Sequence, residues 1–234
     1  MDRDPSQRKH TIVITGGSSP DPRALDHVGG HDEVVCADSG FDHALSLGLD
    51  VDLLVGDLDS ISDHGRAEAR RRGTSMLVAD VDKDLTDTEL ALSASVARGA
   101  TGITLLAGGG DRLDHLLGTI SALASDTLSH LDHVAAWIAW DHLVVARPDR
   151  PVTLELPPGS LVSLLPLDGS ARGVHTTGLR WPLHGETLRA DRARGVSNEV
   201  VAPEMSVRLD DGVLAVIAPG LLDRLSPRSE GTDS

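Results

Sequence analysis

In the first half of the chain, short apolar runs alternate with longer stretches of mixed character. The runs are Thr11–Thr15, Glu33–Ala37, Asp52–Val55, Ser75–Val78 and Ile103–Leu106. They are rich in Val, Ile and Leu and lack the polar alternation of a half-exposed strand. That pattern predicts parallel strands buried on both faces. Helical stretches are predicted at Arg23–Val28, Phe41–Leu47, His64–Arg72, Asp87–Arg98 and Leu113–Ala124. The clearest start is Thr86-Asp87-Thr88-Glu89, where Thr86 caps and Glu89 stands three residues on, as a capping box requires. Strands alternating with helices in this way predict a doubly wound, mostly parallel α/β sheet.

From about His133 the texture changes. His133–Arg147 reads as two strands around Trp140-Asp141, and after Pro148 come the β-like runs Val152–Leu156, Leu161–Leu167, Val207–Leu209 and Val213–Ala218. Turn clusters such as Pro157-Pro158-Gly159 and Asp210-Asp211-Gly212 separate them. The expected organisation is an α/β domain over 10–147, an all-β sandwich-like domain over 148–225, and disordered tails over 1–9 and 226–234.

Composition narrows the chemistry. The 234 residues carry a net charge of −15, which disfavours a nucleic-acid partner because a phosphate-backbone binder shows a basic face. Handling phosphates on an acidic protein calls for a divalent metal between like charges, and an acidic site also suits a cationic substrate. The single cysteine, Cys36, leaves no disulfide framework or cysteine zinc site within one chain. No apolar run approaches the roughly 18 residues of a membrane span, and the N-terminal residues lack an apolar signal core. The expectation is a cytoplasmic protein without membrane contact.

The carboxyl ends of the predicted strands carry aspartates one after another. The second run leads into Asp38-Ser39-Gly40 and the third into Gly56-Asp57-Leu58-Asp59-Ser60. The fourth leads into 80–87, which holds Asp80, Asp82, Asp84 and Asp87, and the fifth into Gly108-Gly109-Gly110-Asp111-Arg112-Leu113-Asp114-His115. A doubly wound sheet gathers such loops on one edge, where ligands bind. One aspartate after a strand is usually a turn or cap residue. Four such loops together repel unless cations lie among them, and oxygen-only donors point to Mg²⁺ rather than zinc. Gly108–Gly110 before a helix suggests a phosphate cradle, and Arg112 behind it offers a guanidinium fork. Alone, the glycines serve equally as a turn. Of 21 basic residues only Lys9 and Lys83 are lysine, and Lys83 sits inside the densest acidic run. A migrating phosphoryl group would explain its place there; a surface ion pair with Asp82 or Asp84 is the plain alternative. Trp181 follows a Gly-Leu-Arg turn and is either exposed for stacking or a packing residue.

These motifs resemble the thiamine pyrophosphokinase family. The similarity runs through Ala37–Gly40, Gly56–Ile61, Asp82–Ala91 and Gly108–His115, then Val162–Leu167, Thr177–Leu183 and Gly195-Val196-Ser197-Asn198-Glu199, covering about residues 11–218 in order. Asp111 and Ser39 depart from the family, which commonly has glycine at both positions. The resemblance implies transfer of diphosphate from ATP to the hydroxyl of thiamine, giving thiamine diphosphate and AMP. It further implies a homodimer with ATP and Mg²⁺ on the aspartate edge, and thiamine between the α/β half of one subunit and the β half of the other. By matching position, Asp57, Asp59 and Asp87 would hold Mg²⁺, with Asp38 and Asp114 completing the acidic pocket. Lys83, Arg112 and the glycines Gly108, Gly109 and Gly110 would meet the ATP phosphates, and Trp181, Ser197 and Asn198 the thiamine. Two alternatives stand beside it: a pyrophosphokinase for another heterocyclic alcohol such as a pterin, and a non-catalytic binding protein of the same fold. Retention of Asp57, Asp59, Asp87 and Lys83 argues against the second.

Overall fold

The computed structural model describes residues 8–78, 84–110 and 112–226. Lys83, Asp80, Asp82 and Asp111 lie outside the described residues, as do most of both expected tails. The chain forms two compact units, Met1–Ala139 and Trp140–Ser234.

Among the described residues the first unit is built on six parallel strands: β1 (His10–Ile14), β2 (Glu33–Ala37), β3 (Leu53–Gly56), β4 (Ser75–Val78), β5 (Gly102–Ala107) and β6 (His133–Ile138). Their order is β6-β5-β1-β2-β3-β4. The expected parallel sheet is therefore present. The chain steps outward from β1 to β4 and returns to β5 on the other side of β1, so the topological switch lies between β1 and β5. Helices α1 (Gly40–Ser46) and α2 (Asp63–Arg72) connect the outward steps and pack on each other. Helices α3 (Asp87–Ala97) and α4 (Leu113–Leu123) connect the return steps and also pair. Right-handed crossovers place the first pair on one face and the second on the other. The core is aliphatic: Ile12, Ile14, Leu54, Leu92, Ile103, Leu105 and Leu106 are fully buried around the single Phe41.

Three expectations change here. The stretch at Arg23–Val28 is a 3-10 helix, Pro22–His27, entered through a proline at its start and an Asp21 side-chain cap. Strand β4 is exposed along its whole length rather than buried, because it ends the sheet and α3 packs over β2 and β3 instead. Lys9 is anchored rather than loose: its N–H donates to Thr101 Oγ1 and its Nζ meets Glu33 at 2.9 Å, where Arg98 also converges. Burial alone would raise the Glu33 carboxyl, but these two cations hold it below its ordinary value.

The second unit is antiparallel. One sheet runs β12 (Asn198–Glu199), β9 (Leu161–Pro166), β14 (Leu214–Ala218), β7 (Asp141–Ala146). The other runs β11 (His184–Arg189), β10 (Ser170–Thr177), β13 (Glu204–Arg208), β8 (Val152–Glu155). The division falls before β7 rather than at Pro148, since β7 pairs along its length with β14. Strands β10, β11 and β12 were not expected. Gly173, Gly178 and Gly185 adopt positive φ in or beside them, and polar side chains fill them, so they lack a readable apolar run. A short helix α5 (Leu221–Leu225) closes the unit, and the Ser226 N–H still donates to Leu222 O. No described helix is long and apolar enough to cross a membrane.

Candidate active site

Loops leaving the carboxyl ends of β1, β2, β3 and β5 meet by close backbone approach. A Cβ on Gly108 would overlap the Ser18 carbonyl, one on Gly16 the Ser39 hydroxyl, and one on Gly40 the Ile14 carbonyl. Glycine is required at Gly108 and Gly40, where backbone blocks a Cβ, whereas at Gly16 it is the Ser39 side chain that would have to move. The result is a continuous floor from the β5 loop, through the β1 loop Gly16–Ser19, to the start of α1. The β1 loop was missed in the sequence. Its signal, Gly16-Gly17 directly after an apolar run, is the same kind that marks Gly108–Gly110.

Asp38, Asp57 and Asp59 converge on this edge, each with a carboxylate oxygen within 4.8 Å of the other two. Their positions follow from local chemistry. The Asp38 N–H bonds Val55 O at 2.9 Å, extending the β2–β3 register by one step. Its carboxylate accepts from the Leu58 N–H at 3.2 Å, and Asp57 Oδ1 accepts from the Asp59 N–H at 3.1 Å. Downstream, Asp42 accepts from both the N–H and the hydroxyl of Ser62, at 2.9 and 2.5 Å, while Ser62 caps α2. Arg66 donates back to Ile61 O and Asp59 O. The 57–61 loop is thus tied at both ends. Asp42 and Arg66 are positioning residues that the sequence did not single out.

Asp87 sits in the first turn of α3, set by the expected capping box. Thr86 accepts from the Glu89 N–H at 3.2 Å, and Glu89 accepts from the Thr86 N–H at 2.8 Å. It faces Asp38, with which it shares a hydrogen bond. Burial, that bond and the charges of Asp87 and Asp57 push the Asp38 carboxyl up to about 7, against the lowering effect of the Leu58 N–H. The three mutually close carboxylates therefore include Asp38, and Asp87 joins them through it.

Arg112 is the N-cap residue of α4, and its side chain makes no cap bond there. It pairs with Asp114, Nη2 to Oδ2 at 2.6 Å, on an exposed surface. That bond holds the Asp114 carboxyl down to about 2, so Asp114 is a carboxylate partnered by arginine. Gly109, at φ 79°, turns the chain between β5 and α4.

In the second unit, Trp181 is 57 % exposed. Ser197 has φ 61° and donates its N–H to Ser163 Oγ at 3.1 Å, and Asn198 begins β12. Arg180 and Glu199, which the sequence did not single out, pair beside Trp181 at 2.9 Å.

Two family models match the chain: "Thiamin pyrophosphokinase, catalytic domain" over residues 27–134 and "Thiamin pyrophosphokinase, vitamin B1 binding domain" over 151–214. A curated relative, the thiamine pyrophosphokinase of Bacillus subtilis (strain 168), is 22 % identical over 206 residues, covering 88 % of this chain and 96 % of the relative. Among solved structures, the Bacillus subtilis thiamine pyrophosphokinase aligns with TM-score 0.77 at 21 % identity, covering 90 % of this chain and 98 % of that one. The Geobacillus thermodenitrificans thiamin pyrophosphokinase aligns with TM-score 0.73 at 24 % identity, covering 89 % and 96 %. The yeast thiamin pyrophosphokinase aligns with TM-score 0.70 at 18 % identity, covering 92 % and 89 %. These structural likenesses establish the shared fold.

Proposed function

The chain belongs to the thiamin pyrophosphokinase family, a family of diphosphotransferases, and from that premise we propose how its residues divide the work. Diphosphate passes from ATP to the hydroxyl of thiamine, and AMP leaves. The observation that carries the assignment of the reacting edge is the convergence of Asp38, Asp57 and Asp59 beside the glycine floor at the β1/β5 switch. Crevices of this kind take nucleotides in doubly wound sheets.

The donor set fits Mg²⁺: hard carboxylate oxygens, and an Asp38 carboxyl raised by burial and by the neighbouring Asp87 and Asp57, whose like charge a cation would offset. Asp57 and Asp59 would hold the ion with Asp38 and Asp87 around it; when bound, it offsets phosphate charge. The glycine loops offer backbone N–H groups to phosphate oxygens. Arg112 adds a guanidinium, and Asp114 orients that group. Lys83 supplies a compact charge from the adjoining acidic run. Asp38, whose carboxyl is pushed up to about 7 by burial and by Asp87, is partly ionised at neutral pH, and its carboxylate can accept the hydroxyl proton of thiamine. Phosphoryl chemistry of this type depends on alignment and charge neutralisation more than on covalent help.

Trp181 and Ser197 meet the thiamine in the β unit, and the working form is a cytoplasmic homodimer whose sites combine both halves. The test is AMP release by the purified protein. It should require thiamine, ATP and Mg²⁺ together, and a pterin alcohol should not replace thiamine. Turnover with pterin and none with thiamine would overturn the acceptor assignment, while turnover undiminished by chelation would overturn the metal.

A further inference from the structure

The side chain of Asn198 is occupied within the protein. Its Oδ1 accepts from the Trp181 N–H at 3.1 Å and from the Glu199 N–H at 2.9 Å, and its Nδ2 donates to Trp181 O at 2.8 Å. A carboxamide offers two acceptor sites and two donors. Both acceptor sites and one donor are spent on backbone, and two of those three bonds grip the peptide groups of Trp181 itself. The indole they carry remains largely exposed, which is unusual for so large an apolar ring on a unit with a filled core.

Arg180 acts on the same ring from another side. Its guanidinium carbon lies 5.2 Å from the Trp181 ring centroid, within cation–π range. Glu199 fixes it twice: the Arg180 N–H donates to Glu199 O at 2.8 Å, and Nη1 donates to Glu199 Oε2 at 2.9 Å. Glu199 in turn pairs with Leu161 of β9. The segment leading in is equally constrained, since Gly178 has φ 71° and a Cβ there would overlap the Glu204 carbonyl. The ring is therefore held at its backbone by Asn198 and along its flank by Arg180. Glu199 compensates the charge of that flanking group.

We propose that Asn198 and Arg180 are positioning residues: they act on the acceptor substrate only through Trp181, by presenting its indole in one fixed orientation for ring stacking. This rests on the proposed role of Trp181 in the acceptor site. Pre-organisation of this kind lowers the ordering cost of binding. On this proposal the one Nδ2 hydrogen left over makes no essential hydrogen bond to thiamine.

A double-mutant cycle decides between action through Trp181 and direct contact. Trp181→Ala should raise the KM for thiamine about tenfold or more with the KM for ATP unchanged. Asn198→Ala and Arg180→Ala should each raise the thiamine KM by roughly three- to tenfold, with kcat changed less than KM. On the Trp181→Ala background both substitutions should then add less than about twofold. Effects that multiply in the double variants would overturn the proposal, as would a normal thiamine KM in Trp181→Ala. A second measurement needs no turnover. The emission attributable to Trp181, taken as the difference from Trp181→Phe in ligand-free protein, should become more accessible to acrylamide in Asn198→Ala. Asn198→Asp, which keeps an acceptor for the Trp181 N–H, should lie between the two. Unchanged quenching would sink the clamp even in a protein that turns over thiamine normally. Increased quenching in a protein inactive toward thiamine would uphold the clamp and reject the assigned acceptor instead.

Discussion

Asp38 and Leu58 hold each other in place while both occupy the left-handed region. The Leu58 N–H donates to the Asp38 carboxylate at 3.2 Å, and their φ angles are 65° and 44°. Neither residue gains from that conformation by itself; each costs on the order of 1 kcal/mol or more and persists only where its surroundings over-determine it. Here the surroundings are the β2–β3 register and the end of β3, where Gly56 turns at φ 140° directly beneath the Asp38 carboxylate.

Gly56→Ala should therefore disable the site from behind. Its methyl group would overlap Asp38 Oδ1, and alanine is strained at that φ. We expect a loss of about 1–3 kcal/mol in stability and a fall in kcat of at least tenfold, read by thermal melting and the AMP-release assay. A variant that keeps full activity would show that Asp38 need not stay where the Leu58 N–H holds it.

Asp57→Asn and Asp59→Asn should nearly abolish turnover while the fold persists. Each removes one of three carboxylates whose oxygens lie within 4.8 Å of one another. Relieving like charge should leave the metal-free protein equally stable or more so. Circular dichroism and melting check the fold, and near-normal turnover at saturating Mg²⁺ would refute the assignment.

The pH dependence follows from Asp38. Its carboxyl is raised from 3.8 to about 7 by burial and by Asp87. A group whose folded pKa exceeds its unfolded value favours folding most when it is protonated in the folded state. Its contribution is full below the unfolded value and is lost as pH rises through the folded one. Metal-free protein should thus lose stability between about pH 4 and 7, and Asp38→Asn should flatten that slope. Mg²⁺ should restore more stability above pH 7 than below, because at lower pH it must displace a proton. Melting curves across this range, with and without Mg²⁺, provide the measurement. Identical slopes in the wild type and Asp38→Asn would locate the proton elsewhere.

Much of this edge was legible in the sequence, because strand-end aspartates are local signals and a parallel sheet brings them together whatever lies between. The capping box at Thr86–Glu89 was legible for the same reason. What the sequence hid depends on partners distant along the chain. The grip of Asn198 on Trp181 spans 17 positions, and that of Asp42 on Ser62 spans 20. The overlap that obliges Gly108 to be glycine comes from Ser18, in the loop after β1, a strand that neighbours β5 only after folding. Exposure of β4 was hidden too, since Met76-Leu77-Val78 reads as core and only its place at the end of the sheet uncovers it.

The last prediction concerns the assembly. The acidic edge lies in the first unit and Trp181 in the second, and in the proposed homodimer the two halves of each site belong to different subunits. If so, an Asp57→Asn chain and a Trp181→Ala chain carry complementary defects. Each homodimer has two damaged sites. In a mixed heterodimer, one site combines the sound aspartate edge of one chain with the sound indole of the other, and the second site collects both defects. At thiamine concentrations too low for the Trp181→Ala homodimer to turn over, mixing the two proteins under conditions that exchange subunits should raise activity to about one quarter of wild type. This follows because half of the dimers formed at random are mixed and each owns one good site of two. Heterodimers purified through two different tags should reach about one half. The ordering of the two variants' individual defects sharpens the test: Asp57→Asn should remain inactive at any thiamine concentration, whereas Trp181→Ala should recover partly as thiamine is raised. Full exchange without rescue, verified by tag recovery, would place both halves of the site within a single chain.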